Sequence, residues 1–170
     1  MLELVKADIR YKDEILAYKE AFLRSGDSMD GSGMLRQSET AEEYMDWCRK
    51  FSDEALCPAD KVPSTQYFGV VDGKIVGMID LRHHINHPVL SVWGGHIGYS
   101  VRPDERRKGY ASEMLRLVLE RARARGMEKV MVTCDANNTG SEKTILKNGG
   151  IYEKCVDVDG EKIKRYWIAL

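Results

Sequence analysis

Residues 97–111 read Ile-Gly-Tyr-Ser-Val-Arg-Pro-Asp-Glu-Arg-Arg-Lys-Gly-Tyr-Ala. An apolar, alternating segment ends at Pro103, a basic turn containing Gly109 follows, and Met114, Leu115, Val118 and Ala122 then recur at helical spacing until Gly126. A strand that feeds a basic glycine turn and opens a helix suits a phosphate group, because the first helical turn has unpaired amides and the positive end of the helix dipole. The turn has neither the GxxxxGK[ST] nor the GxGxxG spacing, which argues against a nucleoside triphosphate or a Rossmann dinucleotide. A solvated basic turn with a glycine at the helix start is the plainer alternative.

Upstream, Leu2 to Lys6 alternates like a half-buried strand, and Ile15, Leu16, Tyr18, Phe22 and Leu23 give Tyr11 to Ser25 a helical period. Gly26 to Ser38 has no period and reads as a mobile loop. Thr40 and Glu43 form a capping box for a second helix with Tyr44, Met45, Trp47, Cys48 and Phe51 on its apolar side. Tyr67 to Val71, the dipeptide Asp72-Gly73 and Lys74 to Leu81 spell a hairpin. His83 to Leu90 is a polar connection, and Val92 to Val101 reads as a strand that carries Gly94, Gly95 and Gly98, where a ligand or another backbone can come close.

Downstream, Lys129 to Cys134 reads as a short apolar strand. Thr139 and Glu142 suggest a capping box for a helix that ends near Gly149 and Gly150, and Ile151 to Leu170 closes as a hairpin about Asp159-Gly160. The predicted order is βααβββαβαββ, with no internal repeat and no interdomain linker.

The chain has 170 residues, 43% hydrophobic and 31% charged, enough for one compact domain over residues 1–170 and too apolar for a disordered or collagen-like chain. Its net charge of -1 offers no global field for nucleic acid or an anionic membrane. The charge is uneven: residues 1–60 carry 8 basic and 14 acidic side chains, whereas 102–129 carry 9 and 5. The acidic part suits a cationic acceptor if it faces one, and is otherwise an ordinary solvated surface. No secretory leader or membrane-length apolar run is present, so a cytoplasmic location is expected. The four cysteines read as free thiols.

The segment Arg106-Arg107-Lys108-Gly109-Tyr110-Ala111 resembles the R/Q-x-x-G-x-G/A signature of the GCN5-related N-acetyltransferases (GNAT), and the whole element order is similar to that family's. The resemblance implies an α/β fold with a GNAT-like mixed central sheet, parallel strands four and five splaying apart. It further implies that acetyl-CoA is the cosubstrate, with its pyrophosphate on Arg106, Arg107, Lys108, Gly109, Tyr110 and Ala111, and its pantetheine arm along Tyr99, Ser100 and Val101. Asn138 would bond the pantetheine side, with Ser141 close by. Many relatives carry a Tyr seven residues after that Asn to protonate the leaving thiolate. Here the position is Ile145.

An ammonium acceptor must lose a proton before it attacks a thioester, and His96 is the candidate base, the alternatives being a backbone-bonded structural histidine and deprotonation through water. His83, His84 and His87 lack zinc-site spacing and read as an exposed loop, so no metal is expected. The implied function is acetyl transfer to a primary amine in a ternary complex. A non-catalytic acyl-CoA-binding regulatory protein is the alternative. The implied partner is a small-molecule or peptide amine, not nucleic acid or membrane, with a homodimer left open.

Overall fold

The computed structural model describes all 170 residues. The order of elements is β1 (Glu3–Lys6), α1 (Lys12–Ser25), α2 (Ala41–Ser52), β2 (Ser64–Val71), β3 (Lys74–Arg82), β4 (Ile97–Val101), α3 (Tyr110–Ala124), β5 (Lys129–Asp135), α4 (Thr139–Lys147), β6 (Ile151–Val158) and β7 (Glu161–Ala169). This is the βααβββαβαββ order expected from periodicity. Both hairpins turn where predicted, with Asp72, Gly73, Asp159 and Gly160 all at positive φ, as a two-residue primed turn demands.

The strands form two antiparallel sheets, β1-β2-β3-β4 and β5-β7-β6, which lie side by side with no ladder between β4 and β5. Alternation along β2 and β3 divides the apolar residues between two cores. Phe68, Val70, Ile75 and Met78 turn toward α1 and α2, and pack with Ile15, Tyr18, Phe22 and Tyr44. Tyr67, Val76, Ile79 and Leu81 turn the other way, onto Met114, Leu115 and Val118 of α3 and the apolar face of β5. Period two on the strands and 3.6 on the helices therefore produce a layer of helix on each side of the first sheet.

Four expectations need correction. Val92 to Val101 is not one strand: Leu90–Gly94 forms a π-helical turn, and only Ile97–Val101 is extended. Glycines are poor strand formers, and here they serve the turn and close approaches instead. The segment 26–38 is packed rather than loose. Met29, Ser32, Leu35 and Ser38 are buried, and a Cβ on Gly31 would stand 2.3 Å from the Gly98 carbonyl oxygen, so the segment lies on the backbone of β4. At α4 the cap is Asn138, not Thr139: its side chain accepts from the Ser141 amide, while Glu142 pairs with Lys164 at 2.7 Å and accepts from the Tyr166 hydroxyl. The three loop histidines are half-buried rather than exposed. His83 bonds Thr65 through Nε2, and His84 and His87 each accept a nearby backbone amide at Nδ1.

The α2 box is present in altered form: Thr40 accepts from the Glu43 amide, and the Glu43 carboxylate reaches the Glu39 amide, one residue before the cap.

Gly69 and Gly77 face each other across β2 and β3 and leave a pit that the Met114 side chain of α3 fills. A Cβ on Gly69 would meet Met114 Sδ at 2.6 Å. We expect Gly69→Ala to destabilise the fold by about 1–3 kcal/mol through overpacking. The same change should cost less in a Met114→Ala background. Urea unfolding of the four proteins measures the coupling, and equal penalties in both backgrounds would refute the pit.

Candidate active site

The gap between β4 and β5 has chemically specific walls. Arg82 N–H bonds the His96 carbonyl and Arg102 N–H bonds the Val76 carbonyl, so the even-numbered residues of β4 turn their backbone groups toward β3. By alternation, Ile97, Tyr99 and Val101 turn theirs toward β5. On β5 the Ala136 amide just beyond the strand bonds Lys162 of the β7 side, which leaves Thr133 turned toward β4. Tyr99 and Thr133 thus present backbone donors and acceptors that no other strand pairs.

A cleft of about 340 Å³ occupies this gap, lined among others by Gly98, Tyr99, Thr133, Cys134, Asn138 and Ser141. The Tyr99 hydroxyl lies 2.6 Å from Ser141 Oγ and so bridges β4 to the first turn of α4. Burial pushes the Tyr99 phenol up to about 12. Asn138 spends Oδ1 on the α4 cap, and its Nδ2 makes no bond within the chain. Ser100 Oγ is engaged by the Tyr18 hydroxyl at 2.8 Å, and the Ser100 carbonyl accepts from it at 3.0 Å, so this residue belongs to the α1 side rather than to the cleft.

At the far end of β4, Gly109 caps α3 with φ 83°, and Arg107 before it also has positive φ, 64°. This unusual pair aims the turn's amides outward, and the N–H groups of residues 107–112 have no acceptor in the chain. The three cations of the turn are not equivalent. Arg106 pairs with Asp27 at 2.7 Å and lies over the Phe22 ring, and Lys108 pairs with Glu105 at 2.7 Å, whereas Arg107 is exposed and unpaired. Ala111 and Tyr110 begin the helix itself.

A family model described as acetyltransferase (GNAT) family matches residues 33–149. The chain belongs to the GNAT acetyltransferase family. It is an acyltransferase that uses acetyl-CoA as donor. Among curated proteins none matches. Solved structures agree in fold: a GNAT-family acetyltransferase from Streptococcus pneumoniae has 17% identity and a TM-score of 0.70, covering 100% of this chain and 99% of its own. RimL, a ribosomal L7/L12 α-N-protein acetyltransferase in complex with coenzyme A, has 17% identity and a TM-score of 0.69, with coverage of 99% and 94%. Mycobacterium smegmatis RimJ, in complex with CoA-disulfide, has 19% identity and a TM-score of 0.70, with coverage of 99% and 81%.

In this GNAT chain His96 is a clasp. It precedes β4, its N–H donates to the Met131 carbonyl at 2.8 Å, and its ring Nδ1 accepts the Met131 N–H at 2.9 Å. An Nδ1 that accepts a hydrogen bond is unprotonated, so the neutral ring carries its proton on Nε2 and has no free lone pair for a substrate. Burial, with the Arg82 charge second, holds its pKa down to about 4. The geometry therefore supports the structural alternative for His96, not the base.

Two groups that the sequence did not single out stand at the cavity walls. Asp80 is 6% exposed, accepts from the Gly98 amide at 3.2 Å and lies 3.3 Å from Arg82 Nε; burial holds its carboxyl above the ordinary range, against the lowering effect of Arg82. Arg82 also donates to the Gly94 and Gly95 carbonyls at 2.8 and 3.0 Å. Asp80 and Arg82 line a second cavity of about 410 Å³, and Arg82 lines the first as well, so it borders both. A charged pair at alternate positions of an otherwise apolar strand, Asp80 and Arg82 after Ile79, was the available signal. Ile145 is fully buried in the core, so α4 supplies no proton donor at that position.

Because folded His96 resists protonation and the unfolded chain does not, the unfolded state binds more protons between pH 6.5 and about 4, and stability should fall as pH drops through that window. His83, also held near 4 mainly by burial, adds to the same decline. His96→Gln keeps an acceptor for the Met131 amide without titrating. Its thermal stability should therefore decline less steeply with acid than that of the parent, and parallel curves would show that His96 titrates normally in the fold.

Proposed function

We propose that acetyl-CoA lies in the β4–β5 cleft and that a primary amine attacks its thioester directly, in a ternary complex, beside Arg82, which borders both cavities. The carrying observation is the unpaired edge of Tyr99 and Thr133. An extended arm of alternating amide donors and acceptors satisfies such groups as an added strand would. The amides of residues 107–112, with Arg107 beside them, suit the pyrophosphate at the other end of β4. Arg106 and Lys108 contribute charge already shared with Asp27 and Glu105. Asn138 Nδ2 is a donor for the pantetheine arm, close to Ser141.

The acceptor enters as an ammonium and gives its proton to the Asp80 carboxylate, whose raised pKa brings it nearer a useful base. The amine nitrogen then bonds the thioester carbon. The outward Tyr99 amide is the donor for the oxyanion, already in place before reaction. Collapse breaks the C–S bond, the departing thiolate takes a proton from the Tyr99 phenol, which remains protonated at neutral pH, and the second proton lost by the attacking nitrogen restores that phenol while Asp80 returns its proton to water.

The deciding experiment is release of free CoA thiol from acetyl-CoA with and without a panel of amines. Amine-dependent turnover is expected. CoA binding without turnover for any amine would instead support the regulatory reading. Gly109→Val should weaken CoA binding roughly 5–30-fold, since a non-glycine residue in the left-handed region costs about 1–2 kcal/mol. A Cβ there meets open space, so the fold should survive. Unchanged CoA affinity in calorimetry would remove the turn from the binding site.

A further inference from the structure

The 410 Å³ cavity beside the cofactor cleft has a polar patch contributed by β2 and β3 and apolar side chains from other segments. Ser64 and Gln66 on β2 stand opposite Arg82 and Asp80 on β3, so four polar side chains share one patch of sheet. The walls are Trp47, Phe51, Met34, Val62 and Leu90, with the Trp47 and Phe51 rings 6.0 Å apart.

Gln66 is 7% exposed and its orientation is settled by three acceptors. Nε2 donates to the carbonyls of Gly31, Tyr67 and Ile79 at 2.7, 3.2 and 3.3 Å. Its Oε1 is therefore an acceptor, lies near Gly33 of the cavity lining and receives no hydrogen bond from the chain. Beside it the Asp80 carboxylate, which accepts the Gly98 N–H and forms an ion pair with Arg82, keeps lone pairs. Arg82 is committed only in part: Nε is beside Asp80, one terminal nitrogen is held by two carbonyls, and the other donates to no group in the chain. Gln66 and Asp80 together accept hydrogen bonds and suit a donor with several N–H groups.

The charge around the cavity opposes a second cation. Lys61 lines it without a carboxylate partner, and Lys50 lies 5.3 Å from the Trp47 ring centroid. None of the 14 acidic residues in positions 1–60 lines it. An α-carboxylate beside the amine would meet the Asp80 carboxylate.

From this we infer that the acceptor is a small primary monoamine with an apolar body, its ammonium on Asp80 and Gln66 and its body between Trp47, Phe51 and Val62. The inference rests on the acetyl-CoA reading of the neighbouring cleft. A polyamine, an α-amino acid and a peptide N-terminus are the competing acceptors.

The test compares phenethylamine and isopentylamine with spermidine, phenylalanine and an alanyl peptide in acetyl-CoA-dependent thiol release, alongside calorimetry of CoA binding. We expect kcat/KM for the two apolar monoamines at least tenfold above the other three. Trp47→Ala should raise KM for phenethylamine at least fivefold, with kcat within twofold of the parent and CoA affinity unchanged. Preference for spermidine, phenylalanine or the peptide overturns the inference while leaving the cofactor reading intact. So does tight CoA binding with no acetylation of either monoamine, or a Trp47→Ala variant with unaltered KM. Failure of CoA to bind overturns the cofactor reading, and the inference with it.

Discussion

The contact between His96 and Met131 is the constraint on which the architecture of the cleft depends. Two hydrogen bonds, one from the His96 amide and one to its ring, join the strand pair at a single point, and no ladder continues from there. A Cβ on Gly95 would stand 2.6 Å from the Met131 carbonyl oxygen, so the clasp also requires a residue without a side chain just before it. Joined at one end only, β4 and β5 keep facing backbone groups unpaired. In most sheets such groups would be a defect, and here they are the most specific feature of the cleft.

The same economy governs the charges. Arg82 holds Asp80, binds the two carbonyls of the glycine turn and forms the wall common to both cavities. Asp80 in turn bonds the Gly98 amide, on the glycine whose backbone lies against Gly31. The segment 26–38 is thereby tied to β4, which lines the 340 Å³ cleft, and Asp27 at its start reaches Arg106 in the basic glycine turn. That surface ion pair, with both side chains 43% exposed, contributes little to stability. Its consequence is electrostatic: it tempers one of the turn's three cations and leaves the amides and Arg107 as the chief anion partners.

The acidic bias of the first 60 residues does not reach the cavity proposed for the acceptor, which none of those acids lines. Asp46 pairs with Arg49 and Lys50, Glu20 with Arg24 and Asp27 with Arg106, as surface charges commonly do. Summed charge over a sequence window carries no direction, whereas a cavity responds only to the side chains that line it.

Periodicity alone was sufficient for the element order, both hairpins and the apolar face of α3, because local repeat and burial face are linked by backbone geometry, whereas Leu16 and Leu23 of α1 face solvent and α2 buries only Tyr44 of its expected face. The glycine turn at Gly109 was equally legible, since its signature is local. The role of His96 was not. A histidine beside a glycine reads the same whether its ring meets substrate or an amide 35 positions away, and only the packed position of Met131 distinguishes them. Asp80 and Gln66 were hidden for the same reason: their pairing across β2 and β3, with apolar walls brought from α2 and residues 34, 62 and 90, exists only after the strands register and the helix docks. Local chemistry points to where a phosphate would fit; non-local contacts alone decide which residues line the cavity proposed for the acceptor.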